Sequence, residues 1–397
     1  MVRSAPADLS FDPPVPPRPA AVAQLSLTDF RNHASSRLAV VPDPARPVVL
    51  TGPNGAGKTA ILEALSLLGP GRGLRQARMD DLARTDGPGG WAVSATVELA
   101  GEEQVLGTGQ TPQEGEAGRR QARIDRQPAS GPAALGERLA MIWLTPAMDR
   151  LFQEPAAVRR RFLDRFADLM LPGHARALAA YEQAMRDRLR LLSERGYLGA
   201  DPGWLAALEA RMAEHGLGVA QGRARAVAAL TVQLARAEAD GFPAGEAGLS
   251  GWLEERLAQL DAESLAKDFA LALKQGRAGD ARSGRTELGP HRSDLTLVYR
   301  ARGLPARLCS TGEQKALMFS LVLAQADTLA DKRGAAPLVL MDEVAAHLDP
   351  DRRARLFARL RRLGGQAWLT GTDPELFGGI GPGAQYFDVV DGRVSPA

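Results

Sequence analysis

A single cysteine, Cys309, occurs in 397 residues. A lone thiol excludes an internal disulfide framework and suits a reducing compartment. Lysine is scarce as well, since all but five of the 49 basic residues are arginine. Charge of one sign is not in excess, the formal net charge being +2. The overall balance therefore carries no signature of a nucleic-acid binder, and such a role has to rest on local clusters. Those present are Arg159-Arg160-Arg161, Arg352-Arg353-Ala354-Arg355 and Arg361-Arg362. Taken singly, each reads as a solvated helix face. No apolar run is long enough to span a bilayer, and the proline-rich residues 1–20 hold no apolar leader core. They read as a disordered tail and the chain as cytoplasmic, with no membrane partner. No repeat at a solenoid period is seen.

What is present is an ordinary globular composition, 45% apolar and 24% charged. It is enough for two or three domains or one large α/β domain with an insertion. The most informative segment is Gly52-Pro53-Asn54-Gly55-Ala56-Gly57-Lys58-Thr59. It follows the apolar run Val48–Leu50 and precedes Ala60–Leu65, the strand-loop-helix context that a phosphate loop requires. Its glycines let the backbone turn tightly and aim N–H groups at phosphate, helped by the helix dipole. Lys58 is expected at the β and γ phosphates and Thr59 on Mg²⁺.

Strand patterns at Leu25–Phe30, Arg37–Val41, Ala92–Leu99, Arg123–Asp125 and Met141–Leu144 make the first part β-rich, with Gly/Gln/Glu-rich turns between Gly101 and Gly118. From about Pro155 to Arg277 the pattern is helical. Leu178, Tyr181, Met185, Leu189 and Leu192 share one face, and Trp204, Leu208 and Met212 begin a second stripe, both read as core. Strands return at Leu295–Tyr299, Leu338–Met341, Ala367–Thr370 and Tyr386–Val390, the last ending in an Asp391-Gly392 hairpin signal. The expected division is a tail over 1–20, a nucleotide-binding head built from 21–154 and 280–397, and a helical lobe over 155–279.

Asp342 and Glu343 end the most apolar of these strands, at the carboxyl edge where α/β sheets bind ligands. This is a Walker B arrangement: Asp342 would hold Mg²⁺ through water, and Glu343 would polarise the water that attacks the γ-phosphate. The plainer alternative is an acidic strand-to-loop turn. Upstream, Ser310-Thr311-Gly312-Glu313-Gln314-Lys315 opens a helical run, with Ser310 placed to cap it and Gly312 allowing close approach of an anion. This segment resembles the signature motif of ABC-type ATPases, which implies that Ser310, Gly312 and Gln314 bind the γ-phosphate held by a second subunit. Asp349 then matches the D-loop at the dimer interface, with His347 a structural or interface residue.

Taken together, Leu27–Asn32, Gly52–Thr59, Thr145-Pro146 with Arg159–Asp164, Leu288–Leu295, Ser310–Lys315 and Met341–Asp349 resemble the RecF family, relatives of SMC and Rad50-type heads. The resemblance runs from residue 25 to the C-terminus. It implies an ABC-type α/β P-loop head with an inserted α-helical lobe. It further implies an ATP-driven homodimer that binds single-stranded or gapped DNA or its junctions. Such a protein works with RecR and RecO in recombinase loading, and takes part in replication, repair and SOS induction. Thr370-Gly371-Thr372 stands where transporter ATPases place a switch histidine, which implies slow hydrolysis. Arg31 and Asn32 resemble nucleotide contacts of Rad50-type heads. Gln153-Glu154-Pro155 and Cys309 depart from the family pattern away from the phosphate chemistry. A transporter ATPase subunit and a structural SMC-type head are the competing readings. The insertion is too long for the first, and a 40-residue arm of about 60 Å is too short for the second.

Overall fold

The computed structural model describes residues 19–111 and 119–397. The expected tail over 1–20 therefore lies outside the described residues except for its last two positions. So do residues 112–118 of the Gly/Gln/Glu-rich stretch, and the side chain of His347.

In chain order the head begins with β1 (Ala21–Phe30), β2 (His33–Ala39), β3 (Val48–Thr51) and α1 (Lys58–Ser66). It continues with β4 (Trp91–Leu99), β5 (Glu102–Gln110), β6 (Gln121–Ile124), β7 (Gln127–Pro128), α2 (Ala133–Arg138) and β8 (Met141–Leu144). The lobe elements are α3 (Ala156–Met170), α4 (His174–Gly199), α5 (Pro202–Leu234), β9 (Gly245–Ser250) and α6 (Ala262–Ser283). The chain closes with β10 (Asp294–Tyr299), β11 (Leu304–Pro305), α7 (Thr311–Arg333), β12 (Leu338–Met341), α8 (Pro350–Leu363), β13 (Ala367–Gly371), β14 (Gln385–Val390) and β15 (Arg393–Pro396).

A six-stranded sheet in the order β15-β14-β3-β13-β12-β8 carries the nucleotide elements. All its pairings are parallel except the β14–β15 hairpin. Its strands alternate between two cores. Val48 and Leu50 face α1 and the antiparallel sheet β2-β1-β4-β5-β6-β7, whereas Val49 faces α3, α7 and α8. Helix α1 is thus enclosed between two sheets, which explains why it is buried nearly all round. Strand residues buried on both faces, such as Leu338–Met341, are what parallel central strands require.

Three expectations are corrected. Residues 102–110 form strand β5 rather than turns, in register with β4 from Trp91↔Gln110 to Leu99↔Glu102. Its glycines disguise it, yet Gly109 is needed because a Cβ there would lie 2.6 Å from the Trp91 carbonyl oxygen. The stretch read as wholly helical contains β9, whose six glycine-rich residues carry little pattern of their own and are held by pairing with β10. Trp204 is 64% exposed rather than core. Asp201 caps α5 through the Gly203 and Trp204 N–H groups, and Leu205 takes the inward place expected of Trp204, while Leu208 and Met212 are buried as expected.

The lobe is tied together by a buried ion cluster. Arg188 of α4 bonds Glu209 of α5 and Asp280 of α6, and Arg277 of α6 bonds Glu209 at 2.6 Å. The longest helix, α5, has 33 residues, about 50 Å. No long coiled-coil arm exists among the described residues.

Candidate functional site

The phosphate loop leaves the end of β3, crosses positive-φ glycines at Gly52, Gly55 and Gly57, and enters α1. At Gly52 any Cβ would collide with the Val389 carbonyl of β14, so the close passage of the two strands demands glycine. The loop carbonyls are fastened from behind. Asn32 Nδ2 donates to the Gly55 and Ala56 oxygens at 3.3 and 3.0 Å, and the Gly392 N–H donates to Ala56 O at 2.9 Å. His33 Nε2 lies 3.1 Å from Gly57 O. Peptide planes held by their C=O groups turn their N–H groups the other way, the polarity an anion-binding loop needs.

His33 is itself fully buried and fixed by Ser36, 2.8 Å from Nδ1, and Ser36 donates to Gly392 O. Burial pushes its pKa below the usual histidine value. Next to it, Arg31 makes a bidentate pair with the buried Glu63 of α1, both contacts at 2.8 Å, and bonds Asp81 O. Arg31 and Asn32 are therefore supports of the loop and its helix in this structure.

Lys58 turns its ammonium into the loop, onto the Gly52 and Pro53 carbonyls at 2.5 and 2.7 Å. Burial lowers its pKa, with the fields of Glu343 and Asp342 opposing. Thr59 Oγ1 donates to Asp342 Oδ1 at 2.9 Å, and Thr370 Oγ1 from β13 donates to the same oxygen at 2.8 Å. Thr370 also accepts the Glu343 N–H at 2.9 Å. Glu343 sits at φ 52°, a left-handed conformation uncommon for a side-chain-bearing residue. The hydroxyl of Thr370 thus holds Glu343 in its strained turn and orients Asp342. Burial pushes the Asp342 carboxyl above its usual pKa.

The donors present suit Mg²⁺. One hydroxyl and one carboxylate already touch beside the loop, and this ion commonly takes one or two protein oxygens plus phosphates and water. No cluster of three or more His, Cys, Asp or Glu side chains occurs among the described residues, so a site built wholly from such ligands is not offered.

Lys58, Thr59, Asp342, Glu343 and Thr370 are brought together. Ser310, Gly312 and Gln314 are not: among the described residues no hydrogen bond joins them to the loop or to Asp342-Glu343. Ser310 caps α7 in a reciprocal box with Glu313, Gln314 donates to Cys309 O at 2.9 Å, and a Cβ on Gly312 would meet open space. Asp349 caps α8 and is half exposed. Of the arginine cluster, Arg159 grips Asp294 at 2.6 and 2.7 Å and Arg160 bonds Ser293 O at 2.7 Å, whereas Arg161 is exposed. The sequence marks Thr370 only by its place at the switch-histidine position and Gly392 only as a turn residue, and it marks His33 not at all. Their roles depend on contacts with distant segments, which no local spacing announces.

A β3–loop–α1 unit roofed by an antiparallel sheet, with a capped Ser-x-Gly-Glu-Gln helix on the lobe side, defines the class as an ABC-type ATPase head. Residues 21–377 match the family described as RecF/RecN/SMC N terminal domain. The chain is 45% identical to the DNA replication and repair protein RecF of Rhizobium meliloti, over 96% of this chain and 100% of that one. Identity to the RecF of Mesorhizobium japonicum is also 45%, over 96% and 99%. The chain belongs to the RecF family. In fold it is similar to the solved recombination mediator protein RecF with ATP, of the RecFOR pathway, at TM-score 0.82 and 19% identity over 96% and 99% of the chains. It is less similar to the Smc head of Pyrococcus furiosus, at TM-score 0.52 and 18% identity over 95% and 96%.

Proposed function

We propose that this protein is an ATP-dependent DNA-binding protein of replication, recombinational repair and SOS induction. ATP joins two copies into a dimer that binds single-stranded or gapped DNA or single-strand to double-strand junctions. With RecR and RecO it assists recombinase loading in the cytoplasm. The observation that most supports the chemistry is the shared Asp342 oxygen, on which the Thr59 and Thr370 hydroxyls converge beside the phosphate loop.

Lys58 leaves the loop carbonyls and takes the β and γ phosphates, while the loop N–H groups bind the phosphate oxygens. Mg²⁺, held by Thr59 and through water by Asp342, would neutralise phosphate charge. Glu343 orients and polarises the attacking water, with Thr370 fixing its backbone. Ser310, Gly312 and Gln314 complete the site of the partner copy, a role supported by their having no hydrogen bond to the loop or to Asp342-Glu343 of their own chain among the described residues. Asp349 lies at that interface. Hydrolysis is slow and stimulated by DNA, and ends the dimer state. The head (21–154 with 280–397) supplies nucleotide binding and the lobe (155–279) supplies DNA contacts, Arg159–Arg161 being the candidate segment, with Arg161 the freest to act.

The test is binding to single-stranded, duplex and gapped DNA with and without ATPγS, together with the mass of the protein by light scattering. Nucleotide-dependent binding by a dimer that prefers gapped DNA is expected. A monomer that ignores nucleotide, or equal affinity for all three DNAs, overturns the reading.

A further inference from the structure

A cavity of about 590 Å³ opens between the head and the first helices of the lobe. Leu74, Trp143, Met148, Val158, Phe162 and Leu178 supply apolar walls. Of the residues assigned to nucleotide and Mg²⁺, only Asp342 reaches it. The volume falls within the roughly 300–1,000 Å³ typical of small-molecule sites.

One lining residue stands out chemically. Arg165 of α3 lies with its guanidinium 3.8 Å from the centroid of the Trp143 ring and 5.6 Å from that of Phe162. No hydrogen bond or ion pair reaches it among the described residues, and its Nη2 is sealed from solvent without an acceptor. The more deeply buried arginines of the lobe differ: Arg188, Arg223 and Arg277 each hold a carboxylate. The acids near Arg165 are committed elsewhere. Asp164 is taken by Arg223 and His174, and Asp168 accepts the Ala175 N–H. Burial lowers the Arg165 pKa to about 9, so the group is still a cation at neutral pH. Arg165 is partly buried, and an Nη2 group sealed away without an acceptor is costly. Stacking on Trp143 holds the guanidinium plane in place and leaves its N–H groups to bond in that plane.

We propose that this cavity is a binding site for a small anionic molecule with an apolar body, its carboxylate or phosphate held by Arg165 and its body by the surrounding walls. The site shares Asp342 with the nucleotide residues but no residue of the phosphate loop, and the proposal does not depend on the nucleotide reading.

Two dyes of matched body test it on the full chain. Anilinonaphthalene sulfonate carries an anion, and N-phenylnaphthylamine is the same ring system without one. Fluorescence titration should give one site that prefers the anionic dye by about tenfold or more, the scale of a charge-assisted hydrogen bond. Arg165→Met should abolish the preference yet still bind the neutral dye, which also reports an intact pocket. Val158→Trp, which fills the cavity from α3, should lose both. Saturating ATPγS should leave the anionic dye bound. Equal affinity for the two dyes, a preference retained in Arg165→Met, unchanged binding in Val158→Trp, or full displacement by ATPγS each overturns the proposal.

Discussion

The Thr59 hydroxyl meets the Asp342 carboxylate at 2.9 Å although 283 residues separate them in the chain. The two groups that would share a divalent cation are therefore positioned by the protein itself. Thr59→Ala should lose the Mg²⁺-dependent part of ATP affinity, seen as similar affinities with Mg²⁺ and with EDTA. Lys58→Ala should weaken binding at least about tenfold, because it removes a charged donor to phosphate. Calorimetry giving parental affinity in either variant refutes the assignment.

Thr370 serves both acidic residues, donating to the Asp342 carboxylate and accepting the Glu343 backbone N–H, so its replacement should affect turnover more than binding. Thr370→Val removes the donor to Asp342 and the acceptor of the Glu343 N–H, whereas Thr370→Ser keeps both. The valine variant should hydrolyse ATP at least tenfold more slowly, on the scale of about 1.4 kcal/mol, and the serine variant close to normally. Equal rates in the two variants remove Thr370 from the mechanism.

Glu343→Gln should retain ATP and lower turnover, trapping the dimer. Light scattering with Mg-ATP should then give close to twice 42.2 kDa. Ser310→Arg, added to it, should return the mass to that of one chain. A monomer under saturating ATP would show that the helix start at Ser310 completes no partner site.

His33 links stability to pH. Its folded pKa lies below the ordinary histidine value of 6.5, so the unfolded chain binds more protons in acid. Its contribution is fully present above about pH 6.5 and is lost as pH falls through the lower folded value. Melting curves from pH 8 to 5 should show the acid decline becoming shallower in His33→Gln than in the parent. Parallel curves would mean that His33 titrates alike folded and unfolded.

The arginine cluster separates by partner. Arg159→Glu places two acids together at Asp294 and should lower the melting temperature. Arg161→Glu should keep the melting temperature while weakening DNA binding with little sequence preference, the log-log salt slope falling by about 0.9 for each DNA phosphate that is no longer neutralised. An Arg161 variant with unchanged slope excludes this residue from the DNA surface.

Glu209 joins three helices through Arg188 and Arg277 and is nearly inaccessible, at 2% exposure. Glu209→Ala leaves both guanidiniums short of a partner and should cost about 3–5 kcal/mol, measurable by denaturant unfolding. A loss under about 1 kcal/mol would mean that water or Asp280 replaces the carboxylate.

Local chemistry was legible in the sequence; closure was not. The phosphate loop, the Asp342-Glu343 strand end, the Ser310 cap and the Asp391-Gly392 turn all declare themselves within a few residues. The turn is found with both residues at positive φ, 47° and 73°, as a two-residue hairpin demands. By contrast, Ser36 reaches Gly392 across 356 residues, and nothing near either residue foretells it. Strands β5 and β9 escaped because glycine hides alternation, and their pairing partners decide them. Trp204 misled because its helix start, set by the Asp201 cap, places the apolar stripe one residue later.

The hairpin β14–β15 completes the phosphate loop: β14 flanks β3, Val389 packs on Gly52 and Gly392 bonds Ala56. In a growing polypeptide the phosphate loop therefore lacks this bracing until residues 385–396 have left the ribosome, more than three hundred residues after the loop itself. The bracing of the loop is thus among the last contacts that the chain can make as it is synthesised.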